Sequence, residues 1–283
     1  MKIAIIIPAY NESKVIVKTL TSLISQTYLP SKIIVVDDSS EDDTFELAKS
    51  FENSFLTVVK HESSGKSMPG AKIIKTFNHG LRSLDLSEFD IICKYDADLI
   101  FPLDYLEQIV SRFRESENIG MVAGHCTVFI EGKWTRENLT NPDHLRGPLK
   151  AYRVSCFQQM GGLRESIGWD TADEMIARYN GWKTITIDGL FVKHLKPTGS
   201  VYNSYALKLQ GQAFYKLRYG FFLLLLSALK VAMIKKKSKV FFLILQGYME
   251  SRWKAVDRIL TDQQGRYLRR YRWKGIKSKV GLK

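Results

Sequence analysis

Residues 3–12 read IAIIIPAYNE, and residues 33–44 read IIVVDDSSEDDT. In both stretches a short run of apolar residues is followed at once by polar residues. A short, continuous apolar run is typical of a strand that is buried on both faces of a parallel sheet. Ligands of such sheets bind outside the carboxyl ends of the strands. The polar residues at 8–12 and 37–40 are therefore the first candidates for a binding site.

The same pattern continues through residues 1–130, where apolar runs alternate with segments whose apolar residues recur at helical spacing. The runs are Ile3–Ile7, Ile33–Val36, Leu56–Val59, Ile91–Cys93 and Met121–Val128. The helical segments include Leu20, Phe45, Phe77 and Ile109. This alternation predicts an α/β fold, in which a mostly parallel, doubly wound sheet is flanked by helices on both faces.

The net charge of +13 is concentrated at one end of the chain. From residue 206 onward there are 19 lysines and arginines but only three acidic residues, whereas residues 1–205 are nearly neutral. The predicted site region is therefore not a nucleic-acid surface, and no nucleic-acid partner is expected. Three widely spaced cysteines indicate neither a disulfide framework nor a thiolate metal site, and they favour a reducing, cytoplasmic setting.

Two pairs of aspartates follow predicted strands. Asp37 and Asp38 would repel each other unless donors such as a base N–H or ribose hydroxyls satisfied them, so we interpret them as binding residues. The neighbouring residues 40–43 are interpreted as turn and helix-cap residues. Asp96 and Asp98 can turn toward one ligand and offer hard oxygen donors for Mg²⁺ or Mn²⁺.

Taken in order, these motifs resemble the family 2 glycosyltransferases. They are PAYNE at 8–12, VVDDSS at 35–40, DAD at 96–98, GGLRESIGWD at 161–170 and RYNGW at 178–182. The resemblance covers residues 2–200 and implies a GT-A nucleotide-diphospho-sugar transferase fold. It also implies a UDP- or GDP-sugar donor, a divalent metal (Mn²⁺ or Mg²⁺) and transfer with inversion.

The resemblance assigns roles to individual residues. It implies that the nucleoside pocket is lined by Pro8, Ala9, Tyr10 and Glu12. Asp37 or Asp38 would bind the base, Asp96 would meet the ribose or the metal, and Asp98 would ligate the metal. His194 follows a further predicted strand and is either a metal or phosphate contact or a structural residue. Apart from the resemblance, Lys66 and Lys72 are interpreted as flexible basic residues near the diphosphate.

The general base is expected among the acidic residues of Trp169–Glu174. Counting back from the RYNG stretch puts the family's catalytic aspartate at Asp170, although Trp169 replaces the usual glutamate. Asp173 lies almost one helical turn further on and could face the same cleft, so it remains an alternative. Asp170 could also be only the N-cap of the following helix. Trp169 is interpreted as a sugar contact, with a core position as the alternative.

The sequence divides into a catalytic domain at 1–205 and a basic, apolar helical extension at 206–283. The apolar runs Tyr219–Leu229, Val231–Ile234 and Val240–Leu245 are each too short to span a bilayer. With the lysines at 235–239 they predict interfacial or re-entrant helices on an anionic membrane, peripheral at its cytoplasmic face. A buried helical pair covering the sheet is the alternative. A membrane location would suit a glycan or lipid-linked acceptor.

Two other functions remain open at this stage. Nucleotidyl transfer to a sugar phosphate shares the fold but normally uses a glycine-rich, basic N-terminal loop, which PAYNE is not. A non-catalytic protein that binds nucleic acid or anionic lipid is suggested only by the basic extension. The main hypothesis is sugar transfer in cell-surface polysaccharide or glycolipid synthesis.

Overall fold

The computed structural model describes residues 1–62, 70–137, 144–196, 204–279 and 281. Within these residues one large mixed sheet is flanked by helices. The strands are β1 (Ile3–Ala9), β2 (Lys32–Asp37), β3 (Leu56–Lys60), β4 (Ile91–Tyr95), β5 (Leu99–Ile100), β6 (Ile119–Ile130), β7 (Lys133–Arg136), β8 (Leu149–Arg153) and β9 (Lys183–His194). The α-helices are α1 (Ile16–Ile24), α2 (Thr44–Lys49), α3 (Ala71–Leu81), α4 (Tyr105–Arg114), α5 (Val154–Met160), α6 (Trp169–Tyr179), α7 (Ser204–Lys216), α8 (Phe221–Lys235), α9 (Ser238–Trp253) and α10 (Asp262–Lys279). The predicted α/β class is confirmed.

The strand order is β3-β2-β1-β4-β8-β6-β9-β5, with β7 paired to β6. The first four strands of this order are parallel, as predicted, but β8 is antiparallel to both β4 and β6. The sheet is therefore parallel in its N-terminal half and mixed in the other half. Ala9 pairs with Asp37 and Asp37 with Lys60, so β1, β2 and β3 end at one level. Their polar loops consequently share one edge of the sheet.

The flanking helices bury the apolar residues that their spacing predicts. On α1, Ile16, Leu20 and Leu23 are completely buried and recur every three to four residues, which places them on one face. Gly80 of α3 crosses close to the sheet, because a Cβ there would lie 2.7 Å from Val36 Cγ2. These contacts hold the helices on the sheet and leave its carboxyl edge to the loops.

The C-terminal helices form a second apolar cluster beside the main core. It contains Leu207 and Tyr215 of α7, Leu224, Ala228 and Ala232 of α8, and Val240, Ile244 and Tyr248 of α9. In contrast, Leu217, Tyr219, Leu223, Leu260 and Leu268 belong to the main core. The extension is thus anchored on the main core by the α7–α8 junction and by residues around the start of α10. Helix α9 packs on α7, and α8 packs on α9. The division at residue 205 stays a prediction. Within the described residues, no helix combines the length and apolarity needed to cross a membrane.

Helices α7 and α9 approach each other through two glycines. A Cβ at Gly211 would lie 2.0 Å from the Ile244 carbonyl oxygen, and one at Gly247 would lie 2.0 Å from the Lys208 carbonyl oxygen. Both distances are far below van der Waals contact with backbone atoms. Any side chain at either position must push the helices apart.

We expect Gly211→Ala to lower the free energy of unfolding by about 1–3 kcal/mol, because overpacking strains the α7–α9 contact. Gly275 of α10 is the matched control, since nothing lies within 4 Å of a Cβ there. Gly275→Ala should be neutral or stabilising by up to about 1 kcal/mol, because alanine favours a helix. Urea denaturation of both variants tests this. Equal effects of the two substitutions would contradict the close approach.

Candidate active site

The loops after β1 and β2 are tied to each other by hydrogen bonds. The backbone N–H of Asn11 donates to Ser40 Oγ (3.0 Å), and that of Glu12 donates to Thr44 Oγ1 (2.7 Å). The side chain of Asn11 in turn accepts from the Glu41 N–H (2.9 Å). Asn11 and Ser39 both have positive φ, at 54° and 59°. Such backbone strain in residues other than glycine is often found at binding sites, and here it occurs in both loops.

Asp37 and Asp38 are buried at this edge, each with an exposed fraction of 2%. One oxygen of Asp37 accepts from the Ser40 N–H (3.2 Å), and one oxygen of Asp38 lies 3.3 Å from Lys72 Nζ. Among the described residues, nothing donates a hydrogen bond to the other oxygen of either carboxylate. Buried acceptors are nearly always satisfied in folded proteins, so these two oxygens are suited to the donors of a ligand.

Whereas Lys66 lies outside the described residues, Lys72, at the start of α3, joins this group. Its ammonium lies 3.9 Å from the ring centroid of Tyr10, in addition to its contact with Asp38. The ring of Tyr10 is 45% exposed. The structure thus brings together Tyr10, Asp38 and Lys72, which gives the pocket an aromatic face and a cation beside two carboxylates.

The Asp96–Asp98 turn lies at the same edge, between β4 and β5. The backbone N–H of Asp96 donates to Pro148 (3.1 Å), and Leu99 of β5 pairs with His194 of β9. This pairing brings Asp98 Oδ2 to 3.3 Å from His194 Nε2. The two residues predicted as metal ligands are therefore neighbours although they are far apart in the sequence.

The residues around His194 fit a divalent metal. One atom each of Cys126, Glu137 and His194 lie within 4.8 Å of one another, and Asp98 approaches His194 from the other side. A carboxylate and an imidazole suit Mn²⁺. Cys126 suits it less, because burial raises the pKa of its thiol to about 12. We therefore consider Asp98 and His194 the best candidate ligands, with Glu137 adjacent.

Glu12 reaches the Asp96–Asp98 turn from the loop after β1. Its carboxylate forms an ion pair with Lys196 (2.7 Å). Burial raises the pKa of Glu12, the Lys196 ammonium lowers it less, and the nearby charges of Asp98 and Asp96 raise it further. Three carboxylates thus crowd one place, and a bound cation would relieve their repulsion.

On the other side of the site, Asp170 lies in the first turn of α6. Its N-cap is Gly168, with φ of 83°, so the interpretation of Asp170 as an N-cap is wrong. The Asp170 side chain is 39% exposed, and one oxygen lies 3.6 Å from His144 Nε2. The other nitrogen of His144 lies 2.7 Å from Glu174. Asp170 is the accessible acid of this group.

Electrostatics keep Asp170 ionised. Burial would raise its pKa, but the hydrogen bond and charge of His144, with the charges of Lys150 and Arg146, hold that pKa well below its usual range. The pKa of His144 is lowered by burial but raised more by Glu174 and Asp170, to about 9. Asp170 is consequently a carboxylate that faces solvent on one side and a cation on the other.

Asp173 has a different environment, which argues against its predicted role as an alternative base. It is 3% exposed, and its oxygens accept from Lys150 Nζ at 2.7 and 2.9 Å and from the Tyr152 hydroxyl at 2.6 Å. Since these donors occupy the carboxylate and the side chain is enclosed, it has no access to an acceptor. Asp173 is a structural partner of the buried Lys150.

Trp169 is 7% exposed, so it offers little surface for stacking on a sugar and the prediction of a sugar contact is not supported. Its indole lies between two buried lysines, with Lys94 Nζ 5.3 Å and Lys150 Nζ 5.4 Å from the ring centroid. Lys94 and Lys150 are directly paired across β4 and β8, and Lys94 also contacts Asp96. Cation–π contact with Trp169 helps both ammonium groups to coexist.

Two chains of contacts connect the Asp98 side with the Asp170 side. Asp98 contacts His194, whose other nitrogen lies 3.6 Å from Glu137, and Glu137 is paired with Arg146 at 2.6 Å. The charge of Arg146 acts on Asp170. The second chain runs from Asp96 through Lys94 to Trp169, the neighbour of Asp170. These contacts connect the surroundings of Asp98 with those of Asp170, and the convergence of Asp37 with both on one cleft stays a prediction.

Sequence reasoning missed Glu137 and the basic residues that balance the acids of this site: Lys94, His144, Arg146, Lys150 and Lys196. Lys94 and Lys150 could have been found, because a lysine within an otherwise buried strand must have a buried partner. His144 and Glu137 flank residues 138–143, and no sequence pattern around them predicts a position in the site.

The fold defined by this sheet is that of the GT-A nucleotide-sugar transferases. It superposes on a TarS fragment from Staphylococcus aureus solved with UDP-GlcNAc, with a TM-score of 0.59 and 20% identity over 77% of this chain and 66% of that one. It also superposes on the mannosyltransferase PcManGT from Pyrobaculum calidifontis, solved with GDP-Man and Mn²⁺. That comparison has a TM-score of 0.56 and 18% identity over 90% and 81% of the two chains.

The sequence matches the model of glycosyl transferase family 2 over residues 4–168, and the chain belongs to this family. It is 28% identical over 125 residues to the poly-β-1,6-N-acetyl-D-glucosamine synthase of Staphylococcus aureus, covering 44% of this chain and 28% of that protein. It is 30% identical over 165 residues to the probable glycosyltransferase YdaM of Bacillus subtilis, which covers 56% of this chain and 35% of that protein. The chain thus spans about a third of these relatives. Membership of this family favours sugar transfer over nucleotidyl transfer and over non-catalytic binding.

Proposed function

We propose that this enzyme transfers a sugar from a UDP- or GDP-sugar to an acceptor hydroxyl with inversion, in the synthesis of a surface polysaccharide or glycolipid. The observation that carries the proposal is that Asp98 and Asp170 have different surroundings: Asp98 lies beside the His194 imidazole, whereas Asp170 is partly exposed and kept ionised. Together with Asp37, they are proposed to border one cleft.

The donor would bind along the carboxyl edge of the parallel strands. The unsatisfied oxygens of Asp37 and Asp38 would accept from the base or ribose, beside Pro8, Ala9 and Tyr10. Lys72, which already lies beside Asp38, would be close to the diphosphate. The UDP-GlcNAc and GDP-Man bound to the structural relatives make these two nucleotide classes the first to test.

A divalent cation would be held by Asp98 and His194, with Asp96 and Glu12 nearby. When bound, it would neutralise the diphosphate as it leaves. Mn²⁺ is present in the mannosyltransferase relative, and Mg²⁺ is the other candidate. The ionised Asp170 would accept the proton of the acceptor hydroxyl as that oxygen attacks the sugar from the side opposite the departing diphosphate, which inverts the anomeric centre.

The acceptor is proposed to be a growing glycan or a lipid-linked sugar. All three cysteines are free and buried, which fits a reducing compartment. A position at the cytoplasmic face of the membrane, where nucleotide sugars and a lipid-linked acceptor could meet, is part of the same proposal.

Thermal stability with a panel of UDP- and GDP-sugars, with and without Mn²⁺ or Mg²⁺, tests the donor site. At about 100 times its Kd a donor should stabilise the protein by about 2.7 kcal/mol. We expect this gain to require the metal in the wild type and to be lost in Asp98→Asn. Asp85→Asn is the matched control, because Asp85 precedes β4 at the opposite end of the sheet. The proposal fails if no nucleotide sugar stabilises the protein or if Asp98→Asn responds like the wild type.

A further inference from the structure

The hairpin of α8 and α9 exposes an apolar surface that nothing in the described structure covers. Four residues of α8 form one stripe at spacings of four, three and four residues: Phe222 (74% exposed), Leu226, Leu229 and Met233 (69%). On α9 a second stripe contains Phe242 (65%), Met249 and Trp253 (88%). We call these two stripes, with Ile234, the outer face of the hairpin.

The outer face is separate from the residues that hold the hairpin on the protein. Leu224, Ala228 and Ala232 of α8 are buried, and Leu226 points about 200° away from Leu224 at the helical rotation of 100° per residue. Helix α8 is therefore apolar on both sides. A soluble surface helix has one polar side, and an apolar patch of this extent marks an interaction surface.

The charges around the outer face identify its partner. Residues 219–249 contain no acidic residue but five lysines. Lys230, Lys236, Lys237 and Lys239 are all exposed, and the last three lie at or next to the turn between the two helices. Glu250, between Met249 and Trp253, is the one acidic residue within this face, and it is paired with Lys208 at 3.1 Å. An apolar surface with this excess of cations at its edge matches an anionic lipid bilayer, in which chains and headgroups meet.

A second copy of this chain fits the surface less well. A symmetric dimer would place the same patch on both sides of the contact, so the two lysine clusters would come close to each other. Like charges at such an interface oppose association, whereas an anionic bilayer attracts them. We therefore propose that the outer face of the hairpin docks on anionic membranes, with α8 and α9 lying in the interface.

The geometry of the hairpin is consistent with lying on the bilayer. Helix α8 has 15 residues and α9 has 16, which gives each a length of about 22–24 Å at 1.5 Å per residue. Helix α7, on which the hairpin packs, also reaches the acceptor side of the site: Lys216 donates to Ser166 Oγ (2.9 Å), and a Cβ at Gly168 would lie 3.3 Å from Ala213. If the proposed function holds, docking would bring the Asp170 side of the cleft close to a lipid-linked acceptor.

Co-sedimentation of the full chain with vesicles tests the docking. We expect binding to vesicles of equal parts phosphatidylglycerol and phosphatidylcholine and much weaker binding to phosphatidylcholine alone. Replacing Lys230, Lys236, Lys237 and Lys239 by glutamine should weaken binding about 100-fold or more. Replacing Phe222, Met233 and Phe242 by serine should weaken it by at least about 10-fold.

Matched controls use exposed residues of the catalytic part. Two control variants should bind vesicles about as well as the wild type. One replaces Lys14, Lys18, Lys75 and Lys133 by glutamine, and the other replaces Leu29 and Leu103 by serine. All variants should keep the wild-type melting temperature, because the replaced side chains are exposed. Asp170→Asn should bind vesicles normally, so a failure of the proposed chemistry would not affect this result.

Two results would overturn the docking proposal. The first is wild-type protein that stays in solution with the anionic vesicles, or hairpin variants that sediment with them as the wild type does. The second is a wild-type protein that does not bind vesicles and is a dimer by light scattering, and that the three serine substitutions convert to a monomer. That second outcome would assign the outer face to another copy of the chain.

Discussion

Replacing Asp170 by asparagine is expected to reduce kcat by about 10²–10⁴-fold, the usual contribution of a general base. Asparagine keeps the shape of the side chain and its contact with His144, but it cannot accept the proton of the acceptor hydroxyl. The proposed donor pocket is formed by Asp37, Asp38 and Lys72, so the KM for the donor should change little. Steady-state kinetics with a donor found by the stability panel, together with melting curves, measure both effects.

The same experiment separates Asp170 from its neighbours. Asp98→Asn should lose metal-dependent donor binding, whereas Asp170→Asn should keep it and lose only the transfer step. Asp85→Asn, on a loop at the opposite end of β4, should behave like the wild type in every assay. If Asp170→Asn retained kcat within about threefold of the wild type, general-base catalysis by this residue would be excluded.

The fold was predictable to the extent that local sequence determines it. The strands around Ile5, Val35, Val58 and Ile92 are short apolar runs buried on both faces. Where such runs alternate with amphipathic helices along a chain, few structures other than buried strands are possible for them. Strand β8 was not predictable in the same way. It contains Lys150, and its antiparallel pairing with β4 depends on a long-range contact that no local pattern specifies.

The acidic residues of the candidate site were the easiest to predict, whereas most of its basic residues were not. Asp37, Asp38, Asp96 and Asp98 directly follow strands, so the architecture itself places them at the ligand edge. Among the basic residues near them, Lys150 reaches the site through the β4–β8 register and His194 meets Asp98 through the β5–β9 register. Lys94, in contrast, lies on β4 only two residues before its partner Asp96. The sequence favoured Asp170 as the base but left Asp173 open as an alternative, whereas burial and the partners of Asp173 distinguish the two.

Lys150 is completely buried, and its replacement by methionine should cost about 3–5 kcal/mol of unfolding free energy. Its ammonium lies within 3.4 Å of both Asp173 and Glu174 and also contacts the Asp170 carbonyl. Burial lowers the pKa of Lys150, but the charges of Asp173, Glu174 and Asp170 raise it more, so the side chain stays cationic. Methionine fills a similar volume but leaves two buried carboxylates without this cation. Denaturant unfolding monitored by circular dichroism measures the loss.

The pH dependence and a double variant test whether charge, rather than packing, causes this loss. In Lys150→Met, the pKa of the buried Asp173 should rise further above its unfolded value. A group with a raised folded pKa stabilises the protein below the unfolded pKa and loses that contribution as pH rises. The unfolding free energy that Lys150→Met loses relative to the wild type should therefore be smaller at about pH 5 than at about pH 8. Adding Asp173→Asn should recover part of the stability, because one uncompensated charge is removed. A deficit that is independent of pH, or a double variant that shows the simple sum of both losses, would mean that Lys150 acts by its volume and not by its charge.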